Sequence, residues 1–361
     1  MSQTTPSFLK EGPVLLRPDN FTPLTRTPWG GDAIGRLYKQ VLVPEAAGKR
    51  IGEAWEFSCD PAFPSRLAAT GESLLDVVKR YPAAVLSPAG VGSGQPLCEI
   101  LVKLLDAAEP LSLQVHPDDG DSCLGPKECG KPESWLVLAA APGAGIYIGF
   151  SRRLCRDELR AVLLEGQQKA AEILQFVPVA KGDYFEIGPG VPHAIGPGVT
   201  LLEPQRIVLG RTGKTYRLWD WGRHYDSAGR LDPNGQARPL HLDAALPLVD
   251  PDRQVGEAFV ATLRRRPRVW TAAGVSVQEF PANAYYQTLL VDLAAGACLR
   301  LAIEGGYGAL IMLDGETTSG GQRLVAGQPA LLPYAALPLA FTAVTRSTFA
   351  VIVPAAATVK Y

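Results

Sequence analysis

The chain has 361 residues, 47% of them hydrophobic and 20% charged, enough for a sizeable core in two domains or one large one. Its formal net charge of −1 gives no electrostatic footprint for nucleic acid or an anionic membrane surface, so an anionic substrate would have to be met by local cations. No apolar run approaches a membrane span, and the Ser-, Thr-, Pro- and charge-containing residues 1–20 have no signal-peptide core, which predicts a cytoplasmic protein.

In chain order, residues 1 to about 12 read as a frayed tail. Residues 14–16, 38–43 and 54–58 read as strands, and 73–81 as an amphipathic helix stopped by Pro82. The apolar run 99–106 encloses Lys103, and a lysine in such a run either snorkels or is held for an anion. Residues 153–176 read as two scaffolding helices broken near Gly166. Strands are expected over 181–187 and 199–203, on either side of a turn carrying His193, and a short helix or the start of a linker over 243–249. From about Val255 onward, strand-like runs at 275–280, 286–291, 309–313 and 349–353 are separated by Gly and Pro, the pattern of a β-sandwich or barrel.

The chemistry concentrates between Leu111 and Trp135. Gln114 and His116 are two residues apart, so on a strand both point to one face. Pro117-Asp118-Asp119-Gly120 turns the chain away, and Glu133 arrives just before the apolar run 135–138. His193 follows the glycine-rich turn that begins at Gly182. Two imidazoles, one carboxylate and one amide oxygen suit a divalent metal that keeps a position open for water or substrate. Taken singly, each residue has an ordinary structural explanation. The joint reading gains from there being only four histidines, His116, His193, His224 and His241, two of which sit beside strand-like segments and loop glycines. The six cysteines are scattered, and the Cys123/Cys129 spacing is poor for structural zinc, so free thiols are expected.

The run from Leu111 to Asp119, followed by Gly130-Lys131-Pro132-Glu133, resembles type I mannose-6-phosphate isomerases, zinc enzymes of the cupin superfamily. Trp29-Gly30-Gly31 and Ile51-Gly52-Glu53-Ala54-Trp55-Glu56 resemble that family's N-terminal segments, and the segment from Thr215 to Arg223 resembles the arginine-bearing segment of its shorter bacterial branch. The motifs occur in family order from about Trp29 to Leu246. The resemblance implies a mainly β fold: a cupin (jelly-roll β-barrel) metal-binding domain over 1–248 with inserted helices near 153–176, and a degenerate cupin-like β-domain over 249–361. It implies one zinc ion per chain on Gln114, His116, Glu133 and His193, with Arg217 and Lys131 acting on the substrate and Lys103 near a sugar phosphate; Ser112, two residues before Gln114, shares its strand face and is expected to hydrogen-bond that phosphate. Some longer members carry histidine where this chain has Gly130.

The implied reaction is reversible isomerisation of mannose 6-phosphate and fructose 6-phosphate by proton transfer through a cis-enediolate. No dinucleotide fingerprint is present, which argues against hydride transfer. Alternatives are a non-haem metal oxygenase, which shares a two-histidine, one-carboxylate site, and a non-catalytic sugar-binding cupin. Gln114, Lys131 and Arg217 favour a polar, anionic substrate over the first. Retention of every ligand candidate argues against the second. The expected partners are a small sugar phosphate, neither nucleic acid nor membrane, and at most weak association into homo-oligomers.

A cupin-type pattern also repeats. Gly182, Gly188, Gly190 and His193 fit it, with glycine at 188 where proline is usual, and Gly327, Pro333, Ala335 and Pro338 fit the same frame. Proline at 338 offers no imidazole, so the second copy is expected to hold no metal there. Residues 205–215 look longer than the family pattern and are expected to reshape the pocket mouth. Arg206, Arg211, Lys214 and Arg223 surround Arg217, so a surface role for it is the competing reading, and Trp219 and Trp221 read as packing residues.

Overall fold

Four β-sheets lie one behind another in the computed structural model, which describes residues 4–88, 91 and 98–361. The first sheet runs Arg264–Arg265, Tyr184–Ile187, Glu133–Ala140, Val199–Arg206, Ile100–Ala107 and Glu53–Phe57. The second, facing it, runs Tyr216–Trp219, Leu113–Val115, His193–Ile195, Gly145–Phe150 and Leu174–Pro178. A third, seven-stranded sheet from Val14–Leu15 to Arg268–Ala272 packs behind the first, and a five-stranded sheet containing Leu339–Ala343 and Cys298–Glu304 covers the third. The fold is mainly β, as expected, with the sheets stacked face to face.

Strand alternation explains the layering. Leu104, Leu136 and Leu202 turn towards Ala309, Ile311 and Ile352 of the third sheet, whereas Leu105, Trp135 and Leu201 turn towards Ile148 and Ile195 of the second. Leu310, Met312 and Val351 face Phe341 of the fourth sheet. The central strands of the first and third sheets are therefore buried on both faces, which is why they read as nearly continuous hydrophobic runs.

The internal repeat has a structural counterpart. Gly182 (φ +94°) and Gly327 (φ +83°) both occupy the left-handed region. Each precedes a four-residue strand, Tyr184–Ile187 or Pro329–Leu332, and then a strand in the facing sheet, His193–Ile195 or Leu339–Ala343. Pro338 stands immediately before the second of these, at the place where His193 opens the first.

Several local expectations are corrected. Residues 38–43 do not form a strand: Ile34–Lys39 is helical and buries Ile34, Gly35, Tyr38 and Lys39 on one side. Lys39 is fully buried, its Nζ 2.6 Å from Glu56 Oε2 and 2.7 Å from the Gly327 carbonyl, so it bonds the N-terminal half to the second hairpin. Removing one partner of such a buried pair costs about 3–5 kcal/mol. The described part of the N-terminal segment is not a frayed tail: Leu9 is fully buried and Val14–Leu15 pairs with Leu331 and Ala330. Residues 1–3 lie outside the described residues. Helices form at Arg156–Glu165 and Gln167–Glu172 around Gly166, but Leu174–Pro178 is a strand. Gly256–Leu263 is a helix in a region read as strands and turns, and it leads into Arg264–Arg265, an edge strand of the first sheet. Among the described residues, no helix is long and apolar enough to cross a membrane.

Candidate active site

The site lies between the first and second sheets, and sheet register places its residues. In the second sheet Gln114 is directly opposite His193 on one neighbouring strand and Arg217 on the other. Cross-strand partners share a face, so His193, Gln114 and Arg217 form a row, with Ser112 and His116 two residues either side of Gln114. In the first sheet Glu133 is opposite Gln205, Glu203 is opposite Lys103, and Lys103 is opposite Trp55. These two faces enclose a cavity of about 400 Å³, lined by all of these residues except His116.

His116, Glu133 and His193 are buried, and one ligand atom from each lies within 4.8 Å of the others. His116 Nε2 is 3.4 Å from Glu133 Oε2, and His193 Nε2 is 3.5 Å from Glu133 Oε1. A tetrahedral ion with ligands at about 2.0–2.2 Å would separate neighbouring donors by roughly 3.3–3.6 Å. His116 Nε2 is moreover buried without a hydrogen-bond partner, a cost of about 1–3 kcal/mol that a cation would relieve; Glu133 Oε2 accepts no hydrogen bond and has the Lys131 ammonium as its nearest compensating charge. The other ring nitrogens are spoken for: His116 Nδ1 is 3.1 Å from the Lys214 carbonyl and His193 Nδ1 2.8 Å from the Val191 carbonyl. A carbonyl only accepts, so each Nδ1 carries the proton and each Nε2 lone pair faces the site.

The electrostatics agree with a ligand set. Burial, then the neighbouring His116, pushes the His193 imidazole down to about 3, and burial followed by Lys131 lowers His116. Burial opposes ionisation of Glu133, yet Lys131, His116 and His193 together hold its carboxyl well below the usual range. Neutral imidazoles and an ionised carboxylate are the forms that bind a divalent metal.

The remaining expected residues are all at the cavity. Gln114 Nε2 donates to Ser112 Oγ at 3.1 Å, which leaves the amide oxygen as the end available to a cation. Lys131 Nζ is 3.2 Å from Glu133 Oε2. Arg217 is half-buried rather than a surface residue. Its Nη1 donates to the Pro239 carbonyl, its backbone N–H donates to His241 Nδ1, and its Nε is buried without a partner. Lys103 does not snorkel: Nζ is 2.7 Å from both Glu203 Oε1 and Gln205 Oε1, so two of its three donors are committed.

Other contributors escape the motif reading. Glu203 faces the cavity inside an apolar strand, also accepting a hydrogen bond from Trp135 Nε1 at 3.3 Å. Its signal was a lone carboxylate in the run 199–203. Residues 205–215 do reach the mouth, where Arg211, Thr212, Gly213 and Thr215 line the cavity. This segment pairs in parallel with Glu128–Cys129, and its Lys214 carbonyl orients His116. Arg26, over the Trp55 ring at 5.1 Å, adds positive charge to the wall. Trp219 and Trp221 pack on each other at 4.6 Å and do not line the cavity.

A family profile described as "Phosphomannose isomerase type I, catalytic domain" matches residues 23–131. The chain is 30% identical over 236 residues to a mannose-6-phosphate isomerase of Streptococcus mutans serotype c, a match covering 60% of this chain and 63% of that relative, short of two thirds of its length. It is 29% identical over 272 residues to a putative mannose-6-phosphate isomerase of Bacillus subtilis, covering 73% and 76%. The fold is similar to the crystal structure of the mannose 6-phosphate isomerase from Bacillus subtilis, with a TM-score of 0.74, 24% identity and coverage of 94% and 99%. It is also similar, at a TM-score of 0.64, 17% identity and coverage of 94% and 99%, to a mannose 6-phosphate isomerase bound with zinc and yttrium. These likenesses give the chain a cupin-type fold.

Proposed function

We propose, for a chain similar over part of its length to type I phosphomannose isomerases, the reversible isomerisation of mannose 6-phosphate and fructose 6-phosphate by proton transfer through a cis-enediolate. The observation that carries this reading is the buried His116–Glu133–His193 group with Lys131 in contact with it and Arg217 in the same cross-strand row.

Gln114, His116, Glu133 and His193 would hold one zinc ion per chain. When bound, zinc would supply a Lewis acid for the negative charge that builds on the two adjacent sugar oxygens. Lys131 is assigned the proton transfer between the two carbons, because it is the flexible titratable side chain nearest the ligands on the cavity side. Arg217 is assigned electrostatic stabilisation: its guanidinium stays charged, and its buried, unpartnered Nε marks unused donor capacity. Ser112 offers a hydroxyl to the phosphate, and Lys103 its third donor. The Glu203 carboxylate offsets the charge of Lys103, so its contribution is a directed hydrogen bond more than attraction.

Two histidines and a carboxylate also describe a non-haem iron oxygenase site, and one experiment separates the two readings. Zinc-loaded protein is incubated with mannose 6-phosphate in deuterated water without oxygen, and the products are followed by NMR. The isomerase reading expects fructose 6-phosphate to form, with some solvent deuterium at C1 because a shuttled proton exchanges, the amount falling as the cavity excludes water. Product that forms only when oxygen and iron are supplied would overturn it.

A further inference from the structure

The rear of the catalytic strands carries a polar contact that the reaction itself does not use. Along Glu133–Ala140 and Val199–Arg206 the side chains alternate: Glu133, Glu203 and Gln205 turn to the cavity, while Ser134 and Pro204 turn back towards the third sheet. The register of this strand pair is carried by Leu202 opposite Leu136 and Gln205 opposite Glu133. Between them Pro204 has no N–H to give to the ladder, and proline is rarely found inside a central strand for that reason.

Tyr286, from the third sheet, stands at that interruption. It is 1% exposed. Its hydroxyl donates to the Pro204 carbonyl at 2.8 Å and lies 3.1 Å from Ser134 Oγ. With its own proton on Pro204, the Tyr286 oxygen accepts from Ser134, so one hydroxyl links a side chain of one strand to the backbone of the other. The ring is fixed at its base, where Asn283 Oδ1 accepts from the backbone N–H groups of Tyr285 and Tyr286 at 2.8 and 2.9 Å.

We propose that Tyr286 is a positioning residue for the active site: its hydroxyl braces the two strands where Glu133 and Glu203 leave for the cavity and fixes the separation of those carboxylates. The C-terminal half thereby acts on the metal site through bonds to residues 134 and 204, beyond covering the first sandwich. Groups that orient first ligands from behind typically affect metal affinity or turnover by about 10–100-fold. The inference rests on the isomerase reading for its kinetic readout, but zinc affinity tests it independently.

The test uses the full chain carrying Tyr286→Phe, which removes one oxygen atom and keeps the ring. Zinc affinity is measured by chelator competition, and kcat and KM for mannose 6-phosphate are measured alongside. The expected result is zinc binding weakened by about tenfold and kcat lowered by about as much, with KM within about twofold of the parent. Ser134→Ala, which leaves Tyr286 bonded to Pro204, should give a smaller loss in the same two quantities, and decides the matter if Tyr286→Phe does not fold. Thr288→Val is the control. It breaks the neighbouring 3.1 Å contact with the Tyr184 hydroxyl and should leave zinc affinity and kcat unchanged. Folded Tyr286→Phe with parental zinc affinity and kcat, or equal losses in Thr288→Val, would overturn the proposal. Parent protein without isomerase activity would overturn the function reading instead, and zinc affinity would still decide this one.

Discussion

The double variant His116→Ala/His193→Ala is expected to retain no stoichiometric metal and no measurable isomerisation. Two of the four proposed ligands disappear, and both replaced rings are buried with Nε2 aimed at Glu133. Gln114 and Glu133 alone present too few donors for a tightly held zinc ion. Some stability is lost as well, because the Lys214 and Val191 carbonyls lose their imidazole donors, at about 1 kcal/mol for each hydrogen bond. Metal analysis of gel-filtered protein checks the prediction. One metal per chain in the double variant would show that the ion, if bound, sits elsewhere.

The second large effect separates chemistry from fold. Lys131→Met should lose about 10²–10⁴-fold in kcat, the span of a general acid–base contribution. Arg217→Ala should lose about 10²–10³-fold, the span of a single electrostatic donor. Both should keep their zinc. Lys131 contacts Glu133 through Nζ while its stem lies at the cavity wall. Arg217 sits on the short strand Tyr216–Trp219, which its backbone pairing with His241 holds in place whatever the side chain. Steady-state kinetics with zinc content measured on the same samples is the check. Near-normal turnover in either variant would remove that residue's assigned role.

How much of this was legible before the fold depends on how local each signal is. Gln114 and His116 could be paired from strand alternation alone, since two residues on a strand share a face without reference to anything distant. Glu133 and His193 needed the ordered motifs, because the sequence separations are bridged only by sheet pairing. The short-range reading failed at 38–43, where Tyr38 and Lys39 belong to a helical turn whose buried side answers to Glu56 and Gly327, residues far away in sequence. Gly256–Leu263 was missed because a starting glycine and a short apolar stretch carry no firm periodicity. Other contributions were not legible at all. The Lys214 carbonyl is a backbone group, identical at every residue, and only the fold brings it to His116. Tyr286 reads as the start of an ordinary strand, and its bond to Pro204 spans two sandwiches. Glu203 was present as a carboxylate within an apolar strand, a signal of burial that became a site signal only when Lys103, Trp135 and Gln205 closed around it.

The isomerisation itself is tested most directly by metal removal and return on the unmodified chain. Protein is treated with a chelator, desalted, and assayed for conversion of mannose 6-phosphate to fructose 6-phosphate by a coupled assay, before and after one equivalent of zinc. The His116–Glu133–His193 site predicts that turnover falls to background on chelation and returns as zinc is restored, saturating near one ion per chain. Undiminished turnover by fully metal-free protein would contradict the mechanism, and absence of turnover by zinc-loaded protein would contradict the function.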